Sequence, residues 1–447
     1  MSAPGASPYT HRNVRALAAP MILSNVTVPL LGLVDTAVMG HLDDPRYLAA
    51  VAVGATIFSF LFMGLNFLRM GTTGLAAQAR GADDGDRLRG VLAQALLIAF
   101  IIAALLILAQ RPLGHLAIWL IAPEPAVLAP AWTYFSVRIW AAPAALANFA
   151  LVGWFIGMQN TRAPLYLMLT TNLINIALSL LLVVGLGYRT GGVAAASVVA
   201  EFAGLGFGIW LVRQELATVG GRLQRSQILD PERLRLVFSV NGNLFIRTLS
   251  LMFVFGFITA QGARLGMAIL AANAILIQFQ YFMAYALDGF AHAAEALVGR
   301  ALGERNAEGL REAVRLSLIW SAAVALVFAL AFLIGGRSII ALLTDQASLR
   351  ELAAQYLPWI IVSPLVSFWS FLFDGVFVGA TRAREMRNTM VFSAFGVFLP
   401  VFFVTQTAGL GNHGLWLAFL VFMASRALTM GYVYRRLHIA APQAATS

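Results

Sequence analysis

Five acidic residues sit inside long apolar stretches of this 447-residue chain: Asp35, Glu201, Asp288, Glu295 and Asp374. Placing a carboxylate in hydrocarbon costs on the order of 2.5–3.5 kcal/mol on insertion scales, so each is a candidate for chemistry. Asp35 is the foremost. It lies in ALAAPMILSNVTVPLLGLVDTAVMG, residues 16–40, behind two prolines. A desolvated carboxylate favours its protonated form, whereas a bound cation favours proton loss. A group that holds a proton or a cation, but not both, is the physical core of an antiporter. Pro20 and Pro29 remove the amides that would pair with the carbonyls of Ala16 and Asn25, and are expected to act as a hinge below Asp35.

Polar side chains at helical spacing accompany these acids. Asn172, Asn175 and Ser179 are three and four residues apart, on one helical face, and Ser197 lies one turn from Glu201. They are candidate hydrogen-bond partners for Asp35, or else polar contacts that fasten helices to each other. Glu201 is the candidate second proton site. Tyr281, Tyr285, Asp288, His292 and Glu295 follow spacings of 4, 3, 4 and 3, a polar stripe expected to face the bundle interior. Asp288 and His292 lack a third ligand nearby, so no metal site is expected. Asp374 is a comparable cavity candidate. Arg69, Arg138, Arg247 and Arg426 fall within apolar runs and either pair with Asp288, Glu201 or Asp374 or reach towards an interface.

The elements that must position these residues are apolar runs of about 20 residues, long enough to cross a bilayer as helices. Twelve are read, near 16–40, 48–77, 90–110, 131–158, 163–186, 191–212, 236–260, 268–298, 316–336, 352–380, 388–407 and 413–434. Composition agrees: 60% of residues are hydrophobic and 11% charged, which excludes a soluble fold. No cysteine is present, so thiol catalysis, disulfides and thiolate metal sites are excluded. Neither a phosphate-binding glycine loop nor a Ser/His/Asp motif is seen, and no enzyme is expected. The net charge of +10 comes from arginines between the runs, a topology signal rather than a nucleic-acid footprint. With the N-terminus cytoplasmic, 20 arginines fall in cytoplasmic segments and six outside, so both termini are expected inside. The polar N-terminal dozen residues precede a run too long for a signal-peptide core, and no cleaved leader is expected.

An internal repeat runs at an offset of about 222 residues. LAAVA at 48–52 recurs as LAANA at 270–274, and GWFIG at 153–157 as GVFVG at 375–379, each followed by Thr-Arg-Ala. The chain is therefore divided into an N-terminal six-helix lobe (1–213), a cytoplasmic linker (214–235) and a C-terminal six-helix lobe (236–447). An even number of spans per half makes the repeat parallel, with a site expected between halves. Asp35 aligns with Phe257, so the first acid belongs to one half alone.

These features resemble the multidrug and toxic compound extrusion (MATE) transporters. The resemblance is carried by PLLGLVDTAVMGHL in the first run, and by FLRMGTTGLAAQARG, FIRTLSLMFVFGFITAQGARLG, LDGFAHAAEALVGRALG and FDGVFVGATRAREMRN, which look like the DinF-like branch. The resemblance implies an all-α polytopic membrane protein of twelve helices in two parallel halves, in the bacterial cytoplasmic membrane, without cofactor. It implies export of organic cations or amphipathic drugs in exchange for protons, with Asp35 as coupling residue, Pro20 as the bend, and Asn175 and Ser197 in the N-lobe site. Ser179 departs from the pattern, since many relatives carry an aspartate there. Sodium is the alternative coupling ion. The competing expectations are a lipid-linked saccharide flippase, disfavoured by five intramembrane acids against four arginines, and a non-transporting scaffold. A monomer is expected, with the lipid bilayer, protons and small molecules as partners and no nucleic acid.

Overall fold

The computed structural model describes residues 7–40, 44–223, 228 and 230–436; the side chains of residues 28–37 and 40 are outside that description. Twelve long helices follow in order: α1 His11–Gly40, α2 Pro45–Gly81, α3 Gly85–Leu108, α4 Pro125–Gly157, α5 Arg162–Gly185, α6 Arg189–Thr218, α7 Pro231–Arg264, α8 Met267–Gly303, α9 Ala307–Leu343, α10 Ala347–Gly379, α11 Ala383–Thr407 and α12 Gly411–Arg436. No strand occurs among the described residues. In lipid every backbone amide must be satisfied within the segment, which leaves helices as the form for these apolar runs. Each expected run is found as a helix. Most helices extend past the apolar run, because their polar ends continue beyond hydrocarbon. The stretch between α6 and α7 therefore shortens to 219–230. A short helix, Gln110–Ile121, joins α3 to α4; at 12 residues it is too short to register as a span.

The chain groups into two compact units. One contains Leu23–Val237; the other contains the described residues up to Ile22 together with those from Phe238 onward. The first turns of α1 join the C-terminal unit because Val14, Leu17, Ala18 and Met21 are buried there and α8 offers them a glycine. A Cβ on Gly289 would meet the Ile22 side chain and lie 3.0 Å from the Ala18 carbonyl oxygen.

The repeat holds at the level of atoms. A Cβ on Gly153 of α4 would strike the carbonyl of Arg69 in α2, and one on Gly375 of α10 would strike that of Ala291 in α8. One turn on, Gly157 stands against Thr73 and Ala77, and Gly379 against Glu295 and Gly299. Every one of these pairs is 222 residues apart in sequence. Close backbone approach through small residues is how membrane helices gain contact where lipid supplies no hydrophobic drive. The connections repeat as well. Gln159 and Thr381 share positive φ (63° and 54°), as do Asp83 and Arg305 (52° and 55°). Asp84 and Asn306 then cap α3 and α9 by accepting from Arg87 N and Gly309 N.

Gly375→Val is expected to lower stability by about 1–3 kcal/mol or more, since the neighbour is backbone and cannot yield. Gly242→Ala, where nothing lies within 4 Å of the added carbon, is expected to leave it unchanged or raise it. Thermal melting of the detergent-purified variants checks both.

Candidate functional site

In the N-terminal unit, α4, α5 and α6 present two polar groups. The first surrounds Glu201 on α6. Asn148 of α4 donates through Nδ2 to the Glu201 backbone oxygen (3.1 Å) and to Oε2 (3.0 Å). Arg138, on the same helix as Asn148, brings Nη2 to 3.6 Å from Glu201 Oε1, and its guanidinium lies 5.8 and 5.6 Å from the ring centres of Phe58 and Phe62. The arginine's partner, which sequence left open among three acids, is thus Glu201. An aromatic floor under a guanidinium adds attraction where water is scarce.

The second group lies between α5 and α6. Asn175 Nδ2 donates to Ser197 Oγ (2.9 Å), and Ser179 Oγ donates to Asn175 Oδ1 (3.3 Å); all three residues are buried. One turn earlier Asn172 Nδ2 donates to Thr27 Oγ1 of α1 (3.2 Å). The four residues singled out by spacing therefore do share a wall, and that wall touches α1. Asp35 and Pro29 are in the helical backbone of α1, but their side chains lie outside the described residues. Pro20 is half-buried, and the helix runs through it.

In the C-terminal unit Asp374 of α10 binds two arginines through one oxygen. Arg247 of α7 donates from Nη2 to Asp374 Oδ2, and Arg426 of α12 donates from Nη2 to the same atom at 2.7 Å. The 281–295 stripe of α8 is not uniform. Tyr281 is exposed and Asp288 half-buried, whereas His292 and Glu295 are buried with Nδ1 and Oε1 3.3 Å apart. The stripe sinks where Gly375 and Gly379 draw α10 onto α8, and it emerges beyond that clamp. No cluster of three metal-ligating side chains occurs among the described residues.

Sequence reasoning missed several polar residues. Asn273 and Asn412 exchange amide hydrogen bonds at 2.7 and 2.9 Å, with Trp416 Nε1 donating to Asn273 Oδ1 at 2.9 Å. Gln280 Nε2 donates to Ser363 Oγ at 2.6 Å. The signal was in the repeat: Asn273 and Gln280 stand where the first half has Val51 and Phe58. The repeat also relates Asn148 to Ser370 and Glu201 to Met423. Ser370 Oγ donates to the Met423 backbone oxygen at 2.8 Å, the counterpart of the Asn148 bond to the Glu201 backbone. The staple is shared by both halves, and the charge belongs to one.

Twelve long helices in two repeated halves, eleven of them long and apolar enough to cross a membrane, with charges paired among them, define a polytopic membrane protein. Comparison with known proteins gives the family. The MatE family matches residues 20–181 and 244–404. The chain is 46% identical over 420 residues to DNA damage-inducible protein F of Escherichia coli (strain K12), covering 94% of this chain and 91% of that protein. It is 26% identical to multidrug resistance protein NorM of Vibrio vulnificus (strain CMCP6), over 95% of each. Among solved structures, a MATE transporter in the straight conformation superposes with a TM-score of 0.86 at 19% identity, over 98% of this chain and 99% of the other. The bent conformation gives 0.85 at 17%, over 97% and 96%. The chain belongs to the MatE family, whose members are multidrug efflux transporters and not enzymes.

Asn148→Ala is expected to cost about 1.5–3 kcal/mol, since it strips a donor from a charged group, against about 0.5–1.5 for Ser370→Ala. The difference in unfolding free energy between the two variants, measured in detergent, checks it.

Proposed function

We propose that the protein is an exporter that exchanges protons for cationic or amphipathic compounds by alternating access, with Asp35 as the coupling residue and Glu201 as a secondary one. The observation that carries this reading is the hydrogen bond between Asn172 and Thr27, which sets the register of α5 against α1. Both helices are odd-numbered spans and run in the same direction across the bilayer. Asp35 is eight residues beyond Thr27 and Ser179 seven beyond Asn172, so at about 1.5 Å per residue both rise by roughly 10–12 Å. Asp35 is therefore level with the buried chain Asn175, Ser197 and Ser179. Amide and hydroxyl groups at that level suit a carboxylate that changes protonation state, since each hydroxyl both donates and accepts. Ser179 supplies no second carboxylate, which leaves Asp35 as the main acid and favours a proton over a sodium ion.

Each proton moved across 100 mV supplies about 2.3 kcal/mol, so export needs no nucleotide. In proteoliposomes Asp35→Asn is expected to abolish drug-driven proton release at normal insertion levels, and Glu201→Gln to reduce it. Flux driven equally by a sodium gradient at fixed pH would overturn proton coupling.

The proposed exporter is an inner-membrane monomer, and the arginine distribution supports cytoplasmic placement of both termini. Because no native cysteine competes, Thr218→Cys is expected to react with an impermeant maleimide only from the cytoplasmic side. Ser348→Cys is expected to react only from the outside.

A further inference from the structure

Each unit keeps a charged centre, half-buried at Arg138 and Glu201 and buried at Arg247, Asp374 and Arg426, and the two do not correspond under the repeat. Arg247, Asp374 and Arg426 have Asn25, Val152 and Gly204 at the positions 222 residues earlier. The duplicated framework therefore does not require them. A carboxylate and a guanidinium pair best through two parallel bonds to two oxygens. Here both guanidiniums crowd Oδ2. Asp374 Oδ1, Arg247 Nε and Arg426 Nε consequently have no hydrogen-bond partner among the described residues, although all three residues are buried. Unmade bonds on charged groups at such depth are unfavourable, and three of them lie on one cluster.

The surroundings define what would fit. The Arg426 guanidinium stands 5.5 Å from the Phe422 ring centre, and its Nη1 lies 3.3 Å from Met423 Sδ. Guanidinium donors set among aromatic and thioether side chains match an oxyanion on an apolar body. At rest the Asp374 carboxylate answers both guanidiniums. An incoming anion must therefore displace an internal one. Side-chain exposure of 10% at Arg247 and 12% at Asp374 means that this exchange requires the cluster to open.

We propose that Arg247 and Arg426 form an anion-accepting site of the C-terminal unit, held at rest by the chain's own carboxylate Asp374, which takes a carboxylate or phosphate carried on an aromatic or aliphatic body. The site extends the substrate range of the proposed exporter to anionic and zwitterionic amphiphiles. It rests on that reading only for transport, and binding is measured without any gradient.

The test uses full-length protein in neutral detergent and energy transfer from tryptophan to 1-pyrenebutyrate, beside its uncharged methyl ester. Wild-type protein is expected to bind the carboxylate about tenfold or more tightly than the ester. Arg247→Gln and Arg426→Gln are each expected to remove that preference while ester binding persists. Arg247→Lys keeps the charge and loses the planar fork, and is expected to reduce the preference by about threefold or more. Displacement by dioleoylphosphatidylglycerol would make a lipid phosphate the source of the oxyanion; displacement by aromatic carboxylates alone would make it a solute, and both support the site. Equal binding of acid and ester by wild-type protein overturns the proposal. So does a preference that survives unchanged in Arg247→Lys and in whichever glutamine variant elutes as a single folded species. Such a failure leaves Asp35-dependent antiport untouched, and loss of antiport leaves this binding intact.

Discussion

A charge taken into hydrocarbon must be answered by another charge or a hydrogen bond, and the arrangement of this protein follows from that constraint. Glu201 is answered from α4 by Arg138 and Asn148; Asp374 is answered from α7 and α12 by two arginines. In each case the responding groups come from helices distant in sequence. The ion pairs thereby select which helices are neighbours, a selection that apolar side chains surrounded by lipid make only weakly.

Packing and charge obey different symmetries. The glycine pairs Gly153/Gly157 and Gly375/Gly379, the left-handed turn residues Gln159 and Thr381, and the caps Asp84 and Asn306 all repeat. The charged and amide groups do not. The duplicated part is what any six-helix half needs in order to close, while the unduplicated part gives each unit its own chemistry. The pair Asn148–Glu201 and Ser370–Met423 shows both rules at one position: the backbone staple is kept and the side chain is changed.

Helix number, order and repeat were legible in the sequence because they depend on local composition, run length and self-similarity. The polar wall of Asn172, Asn175, Ser179 and Ser197 was legible for the same reason, since residues three and four apart on one helix share a face. The partners of Arg138, Arg247 and Arg426 were not, because pairing Arg247 and Arg426 with Asp374 requires three helices to converge. Nor was the amide pair Asn273–Asn412, which joins residues 139 apart in sequence. The spacing of the α8 stripe suggested one continuous face. Which end is covered depends on where α10 approaches, and that is a property of Gly375 and Gly379.

The grouping of α1 and α7 bears on how the chain can be assembled. The described residues up to Ile22 belong with the C-terminal unit, and the opening residues of α7, before Phe238, belong with the N-terminal one. Each half thus lends the start of its first helix to the other, an exchange of the kind seen in swapped dimers. A single six-helix half, as an ancestor before duplication or as a fragment cut at 219–230, would leave Gly289 or its equivalent uncovered and its own first turns without a seat. In one chain each of these segments reaches its seat intramolecularly, at an effective concentration set by the connections rather than by how much protein is present.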